Sequence, residues 1–140
     1  MSPKESPRNT PRNTPRETPS EHTRKRGRKG EEIALKALEN DGYSIVETNF
    51  WTREGEIDII AKQGGYLCFI EVKARSSRSF GSPEESITPK KQQTIGTVAK
   101  LYIEKNEIGP HDMRFDIVTI DLKSGEATVI PNAFELDVQG

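Results

Sequence analysis

The sequence predicts an α/β domain with a mixed sheet, in the order α-β-β-β-α-β-β, and three observations support this. Two stretches space their apolar residues as helices do. Five others are rich in β-branched and aromatic residues, alternate in polarity and are bounded by turn residues. The second helical stretch falls between the third and fourth strands, where a right-handed crossover lays the fourth strand parallel to an earlier one.

The first helix is expected from about Arg24 to Asp41. Ile33, Ala34, Ala37 and Leu38 share one face, Glu31 and Glu32 lie in the early turns, and Gly42 is placed to stop the helix at C′. The run YSIVETNFW then alternates, with Tyr43, Ile45 and Glu47 on one side and Ser44, Val46 and Thr48 on the other. Residues 55–75, GEIDIIAKQGGYLCFIEVKAR, read as two strands around Gly64-Gly65. A loop dense in Ser, Gly and Pro follows. It leads to TPKKQQTIGTVAKLYIEKN, where Thr88 is an N-cap with Pro89 at N1, and Ile95, Val98, Ala99, Tyr102 and Ile103 form an apolar stripe that Gly96 interrupts. MRFDIVTIDL and EATVIPNAF close the chain as strands joined by the Lys123-Ser124-Gly125 turn.

The 140 residues suffice for one domain. Hydrophobic and charged residues each make up 31%, apolar-poor for a globular chain, and the shortfall lies at the N-terminus. Residues 1–26 contain no Val, Ile, Leu, Phe, Tyr or Trp and repeat Pro-Arg-(Asn/Glu)-Thr, so they are expected to form a disordered, basic, low-complexity tail ahead of a domain at 27–140. Lys4, Arg8, Arg12, Arg16, Arg24, Lys25 and Arg26 against Glu5, Glu17 and Glu21 give the tail a charge of +4, while the rest carries −5. Such a tail is either a solvated extension or a contact for a polyanion. There is neither a membrane-length apolar run nor a signal-peptide core, which leads to the expectation of a cytoplasmic protein without a membrane partner. Cys68, set among Leu67, Phe69 and Ile70, reads as a buried, inert thiol. His22 and His111 offer little to a zinc site or a catalytic triad.

The chemistry concentrates in 55–75. A hairpin turning at Gly64-Gly65 sets Asp58 opposite Glu71 and Glu56 opposite Lys73. Those four then share one face, and Ile57, Ile59, Ile70 and Val72 the other. Opposed carboxylates repel. A bound cation would relieve them, and Mg²⁺ is commonly held by a few carboxylate oxygens completed by waters and substrate phosphate. Lys73 would stand beside it, able to orient water or to counter charge on a phosphodiester. The alternative is a solvated strand face on which Glu56 and Lys73 form a cross-strand salt bridge.

Asp58 with Glu71-Val72-Lys73 resembles the core motif of the PD-(D/E)XK nuclease superfamily, with Ile57 where the superfamily name implies Pro. More specifically, KGEEIA, GEIDIIA, FIEVKAR, FGSPEESIT, KKQ and RFDIV resemble, in order and spacing, the YraN family of bacterial proteins over about residues 27 to 134. The resemblance implies a restriction-endonuclease-like core, its mixed sheet flanked by helices. It also implies a Mg²⁺- or Mn²⁺-dependent endonuclease acting on DNA, with branched DNA among the substrates and a homodimer by analogy with resolvases. Asp58, Glu71, the Val72 carbonyl and Glu31 are the implied metal ligands, and Lys73 the catalytic lysine. Lys91 and Gln92 either reach the scissile phosphate or hold the site together, and Glu56 either orients a ligand or serves as one. Arg53, Arg75 and Arg78 border this face as expected nucleic-acid contacts. A nucleic-acid-binding or scaffold protein that keeps the fold without cutting is the competing reading.

Overall fold

The computed structural model of the chain describes residues 21–75 and 87–136, with side chains from Lys29 onward. The elements are α1 (Glu21–Asn40), β1 (Ser44–Thr52), β2 (Gly55–Gln63), β3 (Tyr66–Arg75), α2 (Pro89–Lys105), β4 (Asp112–Asp121) and β5 (Ala127–Phe134). The order is the α-β-β-β-α-β-β expected. A single five-stranded sheet runs β1-β2-β3-β4-β5, with β3 and β4 parallel across the α2 crossover and every other neighbour antiparallel.

Local chemistry explains the helix ends. α1 starts just beyond Pro19, the last proline of the repeats and earlier than the apolar spacing marks. It ends where Gly42 takes φ 88° and the Tyr43 N–H returns to the Leu38 carbonyl at 3.0 Å, the six-to-one bond of a Schellman stop. Thr88 caps α2, its hydroxyl accepting the Lys91 N–H at 3.1 Å, with Pro89 opening the helix.

Two cores cover the two faces of the sheet. Ile95, Val98, Ala99 and Tyr102 of α2 pack on Phe50, Ile57, Ile60, Phe69, Phe115 and Ile117. Ala34 and Leu38 of α1 pack on Ile59, Ala61, Cys68, Ile70, Val118 and Ile120. Gly96 lies within the α2 stripe because a Cβ there would meet Leu136 at 3.1 Å. No described helix is long and apolar enough to cross a membrane.

The first strand departs from simple alternation. A bulge between Ile45 and Glu47 moves Glu47 across from Ile60, away from the Ile45 side where alternation places it. A second irregularity lies further along, at Asn49, which has φ 56°. There the sheet faces exchange: Thr48 pairs with Ile59 of the α1 core, whereas Phe50 pairs with Ile57 of the α2 core. Ile57 therefore does not share a face with Ile59 and Ile70, because a left-handed residue inside β1 turns the strand pair over at that point.

Candidate active site

The hairpin register is the one that Gly64-Gly65 dictate. Gln63 pairs with Tyr66 across a two-residue turn, and Gly64 has φ 59°, the positive value that a II′ turn needs at its first central position. The β2–β3 ladder then runs only as far as Ile59 and Ile70. Asp58–Glu71 and Glu56–Lys73, expected as opposed ladder pairs, lie beyond its end. From there β2 stays with β1, as far as Gly55 opposite Thr52, and β3 stays with β4, as far as Arg75 opposite Asp121. The sheet forks.

Asp58 stands in the fork. Its Oδ2 accepts the Val72 N–H at 2.8 Å, so a carboxylate takes the place of the missing ladder bond. A strand residue that exchanges bonds with a neighbour presents N–H and C=O on the same side. The Val72 carbonyl therefore faces the fork as well. Regular alternation from Phe69 puts Glu71 and Lys73 on the α2 side of β3, and Lys91 Nζ lies 3.8 Å from Glu71 Oε2. That ion pair is loose, with the Glu71 side chain 12% exposed and Lys91 44%.

Burial, first of all, raises the Glu71 carboxyl to about 7. The Asp58 charge adds to the rise, and Lys91 and Lys73 oppose it. Asp58 is raised as well, chiefly by burial and further by Glu31, while the Val72 N–H, Lys91 and Lys73 pull it down. Lys73 and Lys91 act on both acids, whereas Glu31 acts on Asp58 and Glu56 on Glu71, so these groups border the fork from different sides. Among the described residues no three His, Cys, Asp or Glu side chains converge as a ready-made metal cage. What the fork presents is a pair of carboxylates with a backbone carbonyl.

The remaining expected residues fall around it. Glu31 of α1 is half-buried and accepts the Asn49 Nδ2 hydrogen bond at 2.9 Å on Oε2. Gln92 donates from Nε2 to the Ile87 carbonyl at 3.0 Å, which ties the first turn of α2 to the segment leading into it. Glu56 is half-buried and pairs across the ladder with Trp51. Arg53 is exposed in the β1–β2 turn at the fork end, and Arg75 closes β3 at the same end, its carbonyl accepting the Leu122 N–H at 2.8 Å. Arg78 lies outside the described residues.

α2 is pressed against this end of the sheet. A Cβ on Gly55 would come within 2.6 Å of Thr94 Cγ2, so the glycine that begins GEID is what lets the helix approach. The first turn of α2 holds Lys90 and Lys91 and no acid, which adds positive charge to a helix end that is already positive. Two residues escaped the sequence reading. Asn49 could have been noticed as a turn-prone residue inside a strand pattern. Lys90 carries no signal beyond its neighbour.

The acid elsewhere in the core is of a different kind. Asp116 is fully buried and accepts the Tyr43 hydroxyl at 2.7 Å, the Arg114 Nε at 3.0 Å and the Asn132 N–H at 2.8 Å. Cys68 lies beside it, buried, with its thiol pushed up to about 12 by burial, then by the Asp116 charge, which agrees with an inert role.

The model described as "Uncharacterised protein family UPF0102" matches residues 30–120, which take in the fork, α2 and most of β4. The chain belongs to this family. It is the group that the YraN motifs pointed to, and its proteins are of the PD-(D/E)XK type. A UPF0102 protein of Acetivibrio thermocellus is 42% identical over 119 residues, covering 79% of this chain and 92% of the relative. One from Persephonella marina is 43% identical over 112 residues, 80% of this chain and 95% of the relative. One from Hahella chejuensis is 47% identical over 109 residues, 77% and 88%. The shared region thus spans the domain, and the relatives' names carry no activity.

Proposed function

We propose that this UPF0102 protein is a Mg²⁺- or Mn²⁺-dependent endonuclease that hydrolyses DNA phosphodiesters, with branched DNA in its substrate range. The observation that carries the reading is the fork, where Asp58 replaces the ladder at Val72 and stands near Glu71, two half-buried acids whose carboxyls are both raised, chiefly by burial. Such a pair is costly unless a cation neutralises it. Hard carboxylate oxygens in small number suit Mg²⁺ or Mn²⁺, which keep water and substrate oxygens as further ligands.

Asp58, Glu71 and the Val72 carbonyl would hold the ion, with Glu31 approaching from α1. Bound there, it would supply Lewis-acid stabilisation of the phosphoryl oxygens and a more acidic water. The chain's own groups do the rest. Lys73 orients the attacking water and opposes charge as it develops on the phosphate. Lys91 shares Glu71 when the site is unloaded, and with Lys90 turns to the phosphate backbone when DNA arrives. Gln92 braces the helix that presents them. Arg53 and Arg75 bind flanking phosphates at the fork end, and Arg78 extends that row. A homodimer would cut paired strands.

A second reading, a nucleic-acid-binding or scaffold protein that does not cut, draws on the Lys91–Glu71 pair, an internal cation already in the site, and on the charge of −5 outside the tail. Linear, flap and four-way DNA substrates in Mn²⁺ separate the two. The nuclease nicks at least one of them and Lys73→Ala does not, whereas binding without cleavage at high protein concentration favours the second reading.

A further inference from the structure

We infer that Asn49 is a positioning residue of this site, holding the Glu31 carboxylate of α1 at the fork and turning β1 so that Asp58 enters it. The inference rests on the proposed metal site and assigns a role to a residue outside the motif acids.

Asn49 has φ 56° in the interior of β1, a conformation Asn tolerates better than other side chains but one that regular strands exclude. Such strain persists where the surroundings hold it in place. Here it falls between the Thr48–Ile59 and Phe50–Ile57 pairs, directly across from Asp58. It is also where the strand pair changes faces, from the α1 core at Ile59 to the α2 core at Ile57. Without that change Asp58 would follow a strict alternation, and the β2–β3 ladder would have no local reason to end beside it.

The side chain has a second task. Asn49 Nδ2 donates to Glu31 Oε2 at 2.9 Å, bridging the edge strand to α1. Glu31 precedes Ala34 and Leu38 on the inward stripe of the helix, where a charged residue is out of pattern. The amide engages one oxygen and fixes this carboxylate in rotation. Because Glu31, Asp58 and Glu71 do not converge on one point, a cation held by the other two would meet Glu31 through a bound water. Partners that orient a ligand in this way commonly matter to affinity about 10-fold or more. The positive φ and the tether coincide in one residue, and Asn suits both where Ser or Thr would give only a hydroxyl and Gly only the bend.

The experiment is Mn²⁺ calorimetry on the full chain, with melting temperatures in chelator as the structural control. Asn49→Gly keeps the bend and removes the amide, and it should weaken Mn²⁺ binding about 10-fold with the melting temperature nearly unchanged. Glu31→Gln should weaken it to a similar extent. The double variant should be little worse than either, since both break one linkage. In the wild type, Mg²⁺ should shift the Asn49 side-chain amide resonances, a readout that requires no variant. Wild-type Mn²⁺ affinity in Asn49→Gly, losses that multiply in the double variant, or amide resonances that ignore Mg²⁺ would overturn the role. If Asp58→Ala abolishes binding while Asn49→Gly leaves it intact, only the Asn49 role falls. If the wild type takes up no Mn²⁺, the metal site falls with it.

Discussion

Asp58 and Asp116 hold matching places in the two halves of the sheet. Each lies on a strand one in from an edge, and each is met by an edge-strand asparagine at positive φ, Asn49 at 56° and Asn132 at 53°. Their surroundings differ. Asp116 has both oxygens engaged, by Tyr43, Arg114 and the Asn132 N–H, and Arg114 is itself stacked 4.9 Å from the Tyr66 ring centroid. Among the described residues Asp58 accepts one hydrogen bond, from Val72, and its close neighbour is another acid. An acid whose oxygens are occupied within the protein holds the fold together. On the proposed reading, an acid left beside a second acid is held for something that arrives from outside.

Stability measurements can break this comparison. Asp116→Ala removes the fully buried acceptor shared by Tyr43, the Asn132 N–H and the half-buried Arg114 guanidinium, and should cost about 3–5 kcal/mol in urea unfolding, enough to unfold a marginal domain. Asp58→Asn removes one of two repelling charges and, in chelator, should leave stability unchanged or raise it. Equal losses at the two positions would erase the distinction. Gly55→Ala tests the fork from the α2 side. Its Cβ would press on Thr94, and moving the helix should cost about 1–3 kcal/mol and disturb the Lys91–Glu71 contact.

The comparison also has a pH signature. Glu71 is raised from 4.5 to about 7 in the folded state, so the native protein binds that proton more tightly than the unfolded chain. Its contribution is present in full below about 4.5 and is lost as pH rises through about 7. In chelator the melting temperature should therefore fall over that window, and Glu71→Gln should flatten the slope. A slope that survives Glu71→Gln would assign it to other groups. The smallest effect is expected away from both acids, at the α2 cap, where Thr88→Ala should cost about 1 kcal/mol.

Much of the fold was legible because short-range rules decided it. Gly42 and Thr88 end and begin helices through backbone groups that only a cap can satisfy, and Gly64-Gly65 fix a register that holds wherever the ladder exists. The same register pointed to Asp58 and Glu71. It was silent on where the ladder would stop, because that depends on a side chain, Asp58, competing for a backbone donor across the strands. The placement of Ile57 was missed for a related reason. Alternation assumes extended backbone throughout, and Asn49 breaks it within β1. The Asp116 cluster joins Tyr43, Gln63 and Asn132 from distant parts of the chain around Arg114 and Asp116, and periodicity carries no trace of it.

Titrating Mn²⁺ into the wild type and Glu71→Ala by calorimetry tests most directly whether the fork between β2 and β3 holds a divalent cation. Saturable binding in the wild type that disappears in Glu71→Ala is the predicted result. The same affinity in both proteins, or no binding by the wild type, would contradict it.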